Sequence, residues 1–594
     1  MSTIPNPNRM KKTSTSAFRI VLLVACGFVL SAFRVTAVAS TPLINLVGED
    51  AAIVMIAHDA PKIVKSYKDG PWLEMWNDNQ IKRFLAPLHA KLKSEEWDEK
   101  VKAKTGLTIE ELLGLVQGDY LIALKSMPAN IDKVSSEDMP LIIAAEIGDN
   151  KARVEKLIAT LVSEKSASRT TDSEDYAGVT INIIKNTGKA DGAENTAWAI
   201  VDKTFLLSPS KAAIISTIEA IKNGGAENAF GKSERYLRMR QRTGDAQVMY
   251  AVNFQAIYPA INDAFAKKAA SGGRDAAYID YTTLASALGF NALKDIYFGA
   301  NYGTDNVTAS GAITYTERRG LLSLLTFGDG SVKIPEYASA DWPTVNVVNY
   351  SIPQAFTALE QLLEAINPGV SMMIQGQLES AKQGLGIDIK RDLIETLGEQ
   401  IVSANILPAG VTANDTGFSE KIGVLYVISL KDARTFQNAI ETLKRSSGLE
   451  NHPMLVQREY LGNTITTINT GAKQVSYTIA RNQLVVGIGS PTIVEFLVQN
   501  LANGTTAPLA ERNDVRENFA AAPADTVSFS VQNTAFTFRL LCDAFAALPQ
   551  LSEYVDSSAT PSVEFFEKHF GNSYGWMTSE SDGLYFTSKM FYKK

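Results

Sequence analysis

Cysteine and histidine are scarce in this chain of 594 residues, which has two cysteines (Cys26 and Cys542) and four histidines (His58, His89, His452 and His569). With so few thiols there is no disulfide framework, so stability must come from burial. The histidines form no H-E-x-x-H motif and no pair at helical ligand spacing, so the sequence gives no reason to expect a metal or another cofactor. Basic residues are outnumbered, 57 Lys and Arg against 64 Asp and Glu, for a net charge of −7. That balance argues against nucleic-acid binding, which depends on neutralising phosphates. With 45% hydrophobic and 20% charged residues and a mean hydropathy of −0.03, the composition is that of a globular protein. It excludes a disordered chain, a collagen-like repeat and a polytopic membrane protein.

What is present begins with an address. Residues 1–39 hold Arg9, Lys11, Lys12, Arg19 and Arg34 and no acid, and an apolar run extends from Ile20 to Phe33. Its fourteen residues fall short of the roughly 20 that a spanning helix needs. Ala37 and Ala39 occupy the small-residue positions of a signal peptidase site, so cleavage is expected after Ala39, giving a periplasmic or secreted protein. Two alternatives keep the chain on the membrane, an uncleaved leader or lipidation of Cys26 within Leu23-Val24-Ala25-Cys26. Removing the five basic residues of the leader takes the net charge from −7 to −12.

The remaining chain carries an internal repeat. Gly106-Leu107-Thr108-Ile109 recurs as Gly386-Ile387-Asp388-Ile389, Gly118-Asp119 as Gly398-Glu399, and Tyr176-Ala177-Gly178 as Tyr460-Leu461-Gly462, at offsets of 280 to 284. This period is too long for a solenoid and implies a duplicated domain. The expected organisation is a leader over 1–39, one copy over 40–335 and a second over 336–594, with a Gly- and Pro-containing linker near 328–342.

Within each copy, strand pairs joined by tight turns at Asp202-Lys203 and Arg481-Asn482 alternate with helices. Asp59, Ser210 and Ser351 precede helices as candidate caps. Long helical regions are expected over Trp72–Lys104 and Ala355–Gln383. The fold class is therefore α+β, a mostly antiparallel sheet packed with helices on one face.

Four features invite a chemical reading. Gly571-Asn572-Ser573-Tyr574-Gly575 matches the spacing of a nucleophile elbow, but it follows a helix-like segment and has no histidine after it, so a helix-to-strand loop is expected. Gly225 to Ser233 has one residue too many between its glycines for a phosphate loop, which argues against nucleotide binding. His58 beside Asp59 has the chemistry of an acid–base pair, yet the second copy has Tyr350-Ser351 there. Trp72 and Trp76 lie one helical turn apart, and Trp198 aligns with Tyr477 in the second copy. These four aromatics are candidates for lining a ligand groove, although such spacing more often serves a core. Cys542, in an apolar helical stretch, is expected to be a buried thiol.

Asp59-Ala60-Pro61, the Trp72–Trp76 helix and Tyr176-Ala177-Gly178 give residues 45–265 a pattern that resembles a family of exported bacterial proteins built on a domain of unknown function. The resemblance implies export and supplies no activity or site. The sequence thus points to a non-enzymatic exported or cell-envelope protein that binds a protein, lipid or other ligand. Two other readings stand beside it: a hydrolase with a site assembled from both copies, and a structural envelope component. N-terminal sequencing of protein recovered from its own host is expected to begin at Ser40, and a start at Met1 or Cys26 would replace the cleaved-leader reading.

Overall fold

The computed structural model describes residues 41–593, apart from 93–96, 129–134, 164–168, 187–194, 272–280, 329, 409, 412–414, 416–417, 451, 470–472 and 506. The expected leader and its cleavage site lie outside the described residues. The chain forms two compact units. Unit 1 comprises the described residues up to Leu73, His89–Ala260 and Ile296–Thr304; unit 2 comprises Glu74–Leu88, Ile261–Asp295 and those from Asp305 onward.

In unit 1, β1 (Ile53–Ala57) buries Val54 and Ile56 by simple alternation. It is followed by β2 (Tyr120–Leu124), β3 (Leu141–Glu146), β4 (Arg169–Tyr176), β5 (Val179–Asn186), β6 (Thr196–Val201), β7 (Thr204–Ser208) and β8 (Val248–Asn253). These pair antiparallel in the order β4-β5-β6-β7-β3-β2-β1-β8. A further strand, β9 (Leu293–Tyr302), enters the unit where the Ala300 carbonyl accepts the Gln247 N–H at 2.8 Å.

Helices α1 (Ala60–Asp69) and α2 (Pro71–Asn77) follow β1, α3 (Lys151–Ser163) follows β3, α4 (Lys211–Lys222) follows β7, and α5 (Glu234–Thr243) precedes β8. Asp59 caps α1 from a left-handed conformation, φ 53°, its carboxylate accepting the Lys62 N–H at 3.1 Å. Ser210 caps α4 by accepting from Ala213 N–H.

Val154 and Leu157 of α3 pack on Ile143 and Ala145 of β3 and on Phe205 and Leu207 of β7. Successive strand residues face opposite ways, so Ile142 and Ala144 are left for the other side, where α4 packs with Ile214 and Ile218 fully buried. The single helical face expected from the sequence is corrected here: α3 and α4 cover opposite faces. That double cover is why β3 reads as an unbroken apolar run.

Unit 2 contains β10 (Asn306–Tyr315), β11 (Thr344–Asn349), β12 (Leu397–Ile406), β13 (Gly423–Leu430), β14 (Leu455–Tyr460), β15 (Asn463–Asn469), β16 (Gln474–Ala480), β17 (Gln483–Ile488), β18 (Thr526–Asn533), β19 (Phe570–Glu580) and β20 (Gly583–Tyr592). Their antiparallel order is β14-β15-β16-β17-β13-β12-β11-β18-β19-β20-β10. The first eight strands of that order repeat the order of unit 1, strand for strand. The helices are α6 (Ile352–Ile366), α7 (Pro368–Leu385), α8 (Ala433–Ser446), α9 (Thr492–Asn503), α10 (Asn513–Ala520) and α11 (Thr534–Ala547). Ile493 and Leu497 of α9 join Val427 and Val485 in the core.

Three local expectations change. The helical region 72–104 is split into short helices, because the Asp78 carboxylate takes the Gln80 N–H at 2.7 Å and starts a new one. Ala355–Gln383 is divided at Asn367-Pro368, where Asn367 caps α7 and Pro368 cannot continue α6. Segment 328–342 is more than a linker: Val332, Ala338 and Trp342 enter the unit 2 core. Among the described residues, no helix is long and apolar enough to cross a membrane.

Leu497 is fully buried beneath the sheet. Leu497→Ala is expected to cost about 2–5 kcal/mol in urea unfolding, against about 0.5 kcal/mol or less for Leu541→Ala on the exposed side of α11.

Candidate ligand-binding cleft

Unit 1 holds a cleft of about 760 Å³ between the end of β2, the β5–β6 pair and the first turn of α4. Its size lies within the range of small-molecule sites. Ile183 and Ala197, partners across β5 and β6, form one wall, and Ala212, Ala213 and Ser216 of α4 form another.

Lys125, the residue after β2, reaches into this cleft. Its Nζ donates to Ser216 Oγ at 2.7 Å and Thr217 Oγ1 at 3.3 Å. Both hydroxyls donate in turn to the Ala213 carbonyl, at 3.1 and 2.7 Å, which leaves their lone pairs for the ammonium. Desolvation lowers the Lys125 pKa to about 8, while the charges of Glu219 and Asp50 pull it upward. The other cleft lysines are paired with carboxylates: Lys185 with Asp172 at 2.5 Å and Lys211 with Glu174 at 3.0 Å. Glu137 and Asp138 also line the cleft, Glu137 accepting from Asn195 Nδ2 at 2.5 Å.

None of the four aromatic candidates lines this cleft. Trp198 follows Ala197 and so faces the opposite side of the sheet, against the core residues of β3 and β7, with its ring centroid 6.4 Å from Phe205. Trp72 is half-buried on α2, and Trp76 on the same helix is 46% exposed. Tyr477 lies on β16 in unit 2, with Lys444 Nζ 6.0 Å from its ring centre.

His58 pairs with Asp119, not with Asp59. Its Nδ1 lies 2.9 Å from Asp119 Oδ2, while Asp119 Oδ1 accepts the Asp59 N–H at 3.0 Å. Glu146 extends the cluster by accepting the Asp119 N–H at 2.9 Å. His58 Nε2 is buried and has no hydrogen-bond partner among the described residues, so it is closed to a substrate. The geometry joins β1, the start of β2 and the end of β3 at one sheet end. Ser573 sits inside β19, opposite Gln532 of β18, with its hydroxyl bonded to Thr534 Oγ1 at 3.3 Å. The expected loop is therefore corrected to a strand, because the sheet continues through both glycines. Cys542 is partly exposed, and burial pushes its thiol up to about 12, which makes it a poor nucleophile. Among the described residues, no group of three His, Cys, Asp or Glu side chains is arranged to hold a metal.

Sequence reading missed Lys125, because one lysine after a strand has no pattern. It also missed the unit 2 cluster around Asp514, which accepts from Arg512 Nη2 at 2.5 Å, from Asn572 Nδ2 at 3.1 Å and from the Tyr574 hydroxyl. Burial alone would raise the Asp514 pKa, but the bonds from Arg512 and Tyr574, with the guanidinium charge, outweigh it and hold the carboxyl well below its usual range.

No protein-family model matches the chain, and no curated protein matches it. A solved structure described as "Structure of crystal form I of TP0453" is similar over 47% of this chain and 80% of its own, at 10% identity and a TM-score of 0.21.

A carboxylate whose pKa is depressed by folding stabilises the fold above its unfolded pKa, and that contribution is lost as the pH falls. Asp514→Asn is therefore expected to lower the thermal midpoint at pH 7, with the gap to the parent protein narrowing below about pH 4. A gap independent of pH would show that the charge is not what matters.

Proposed function

We propose that this protein is a non-enzymatic, exported or cell-envelope binding protein made of two duplicated α+β units, and that its ligand occupies the unit 1 cleft. The cleft carries this reading. It is a concave space of ligand size with apolar and polar side chains interspersed on its walls, and a partly desolvated ammonium reaches into it. The duplication is supported by the eight-strand order common to both units and by the narrow range of sequence offsets, 280 to 284. Export is supported by the basic, apolar and Ala-x-Ala succession of residues 1–39.

The hydrolase reading has weaker support. Ser573 is held in a strand by Thr534, and the unbound nitrogen of His58 is enclosed. A nucleophile and its base need to sit within hydrogen-bonding reach of each other, but Ser573 bonds Thr534 while His58 bonds Asp119.

Native mass spectrometry and organic extraction of protein purified from its own host test the proposal. The expected result is a stoichiometric small molecule that is lost in Ala212→Trp, where an exposed residue of the cleft wall is enlarged to fill it. Protein that is empty in both forms would overturn the binding reading, as would turnover of ester, peptide or glycoside substrates.

A further inference from the structure

We infer that the unit 1 cleft selects a ligand with a single carboxylate and an apolar body, and that the Lys125 ammonium receives the carboxylate. This inference rests on the cleft being a binding site, as proposed above, and adds the chemical class of what it binds.

The first ground is the donor count at Lys125. An ammonium has three N–H groups. Ser216 and Thr217 take two of them, and their own protons are directed to the Ala213 carbonyl. One donor is left unspent beside the cleft space. The hydroxyl pair therefore aims the ammonium without neutralising it, and among the described residues no carboxylate lies within ion-pair distance of Lys125, unlike Lys185 and Lys211.

The second ground is the charge balance of the walls. Glu137 and Asp138 line the same cleft as Lys125, so a dianionic phosphate would meet two carboxylates for one unpaired cation. A single negative charge suits that balance better. The third ground is the apolar part of the wall: Pro128, Pro140, Ile183, Ala197 and Ala212 offer no charge to a ligand's body. A short alkyl or ring substituent covers them with favourable burial.

Unit 2 supplies an internal control. Followed through the β3–β7 and β13–β17 ladders to their neighbours β2 and β12, Ile406 stands where unit 1 has Lys125, and it is buried in the unit 2 core with Ile493 of α9. One carboxylate site per chain is expected.

Protonation gives the inference a second readout. The groups around Lys125 are Asp50 before β1, Glu219 on α4, Glu137 and Asp138 on the facing turn, and the paired Lys185 and Lys211. Free Lys125, lowered to about 8, regains a higher pKa when an anion docks. Binding is then strongest below pH 8 and weakens by about tenfold between pH 7 and pH 9 as the free amine loses its proton.

The experiment is calorimetric titration of the full mature chain with octanoate, octyl phosphate and octanol, at pH 7 and pH 9. Lys125→Met and the control Lys203→Met, outside the cleft, are titrated in parallel, and thermal midpoints verify that each variant folds. The expected result is one octanoate per chain, at least tenfold weaker in Lys125→Met, unchanged in Lys203→Met, and tighter than either comparison ligand. Equal octanoate binding by the parent and Lys125→Met would overturn the assignment, and so would octanol or octyl phosphate binding as tightly. A folded Lys125→Gln that also loses octanoate excludes a packing effect of methionine, whereas retention of full affinity in Lys125→Gln would overturn the role of the charge. A neutral molecule copurifying in the cleft, with no octanoate binding, would overturn the carboxylate class while leaving the binding proposal intact. Absence of both would end the two together.

Discussion

The pairing of β3 with β7 is the constraint on which unit 1 depends. Ile143 meets Leu207 and Glu146 meets Thr204 across this ladder, about 60 positions apart in the chain. It joins two pieces: the β4-β5-β6-β7 meander, whose strands pair in chain order with tight turns at Ala177-Gly178 and Asp202-Lys203, and the β3-β2-β1-β8 set. Closing that separation has an entropic cost that short hairpins avoid. The offsetting gain is burial on both faces of β3, with α3 over Ile143 and Ala145 and α4 over the opposite side. The β13–β17 ladder does the same for unit 2, from Val424 opposite Ile488 to Ser429 opposite Gln483.

The same junction creates the cleft. α4 must start where β7 ends, so its first turn is placed over β6 and β5 and next to the end of β2. Lys125 emerges there with its stem against protein and its ammonium turned to the α4 hydroxyls. Partial desolvation opposes the charged form, and two neutral hydroxyls restore only part of what water would supply. A carboxylate partner would have stabilised the charge more fully, as it does for Lys185, and would have closed the site to an anionic guest. The hydroxyl pair leaves the ammonium both oriented and available.

How much of this was legible depends on whether a feature has a local cause. The turns at Asp202-Lys203 and Arg481-Asn482, the cap at Ser210 and the buried stripe of Ile214 and Ile218 follow from a few adjacent residues, and periodicity reveals them. The division of helices at Asp78 and Asn367 was also local, but an apolar pattern running through both sites masked the capping chemistry. Lys125, by contrast, acquires its meaning from Ser216 and Thr217, about 90 positions away, and Asp119 from His58 and Glu146. His58 and Asp59 are neighbours in sequence and would have been the natural pair. The left-handed turn at Asp59 instead turns its carboxylate to the α1 N-terminus, leaving the imidazole to Asp119. A one-dimensional pattern contains no term for such contacts.

The two units also separate what the fold requires from what a site requires. Both keep a small residue at Gly118 or Gly398, because the side chain from the neighbouring strand lies over the Cα. A Cβ would come within 2.0 Å of Glu146 Oε2 in one unit and 2.2 Å of Ser429 Oγ in the other. The oxygen that fills this position differs in charge but serves the same backbone need, receiving the Asp119 N–H in unit 1 and the Gln400 N–H in unit 2. Steric and hydrogen-bonding demands of the shared sheet are thus met in both. The charged choices, His58 with Asp119 and the ammonium of Lys125, occur in unit 1, whereas unit 2 has Gln400 and Ile406 at the ladder positions of Asp119 and Lys125. Since the sheet tolerates either set, the Lys125 ammonium, held by two hydroxyls with Glu219 and Asp50 acting only from a distance, is not a requirement of the shared sheet.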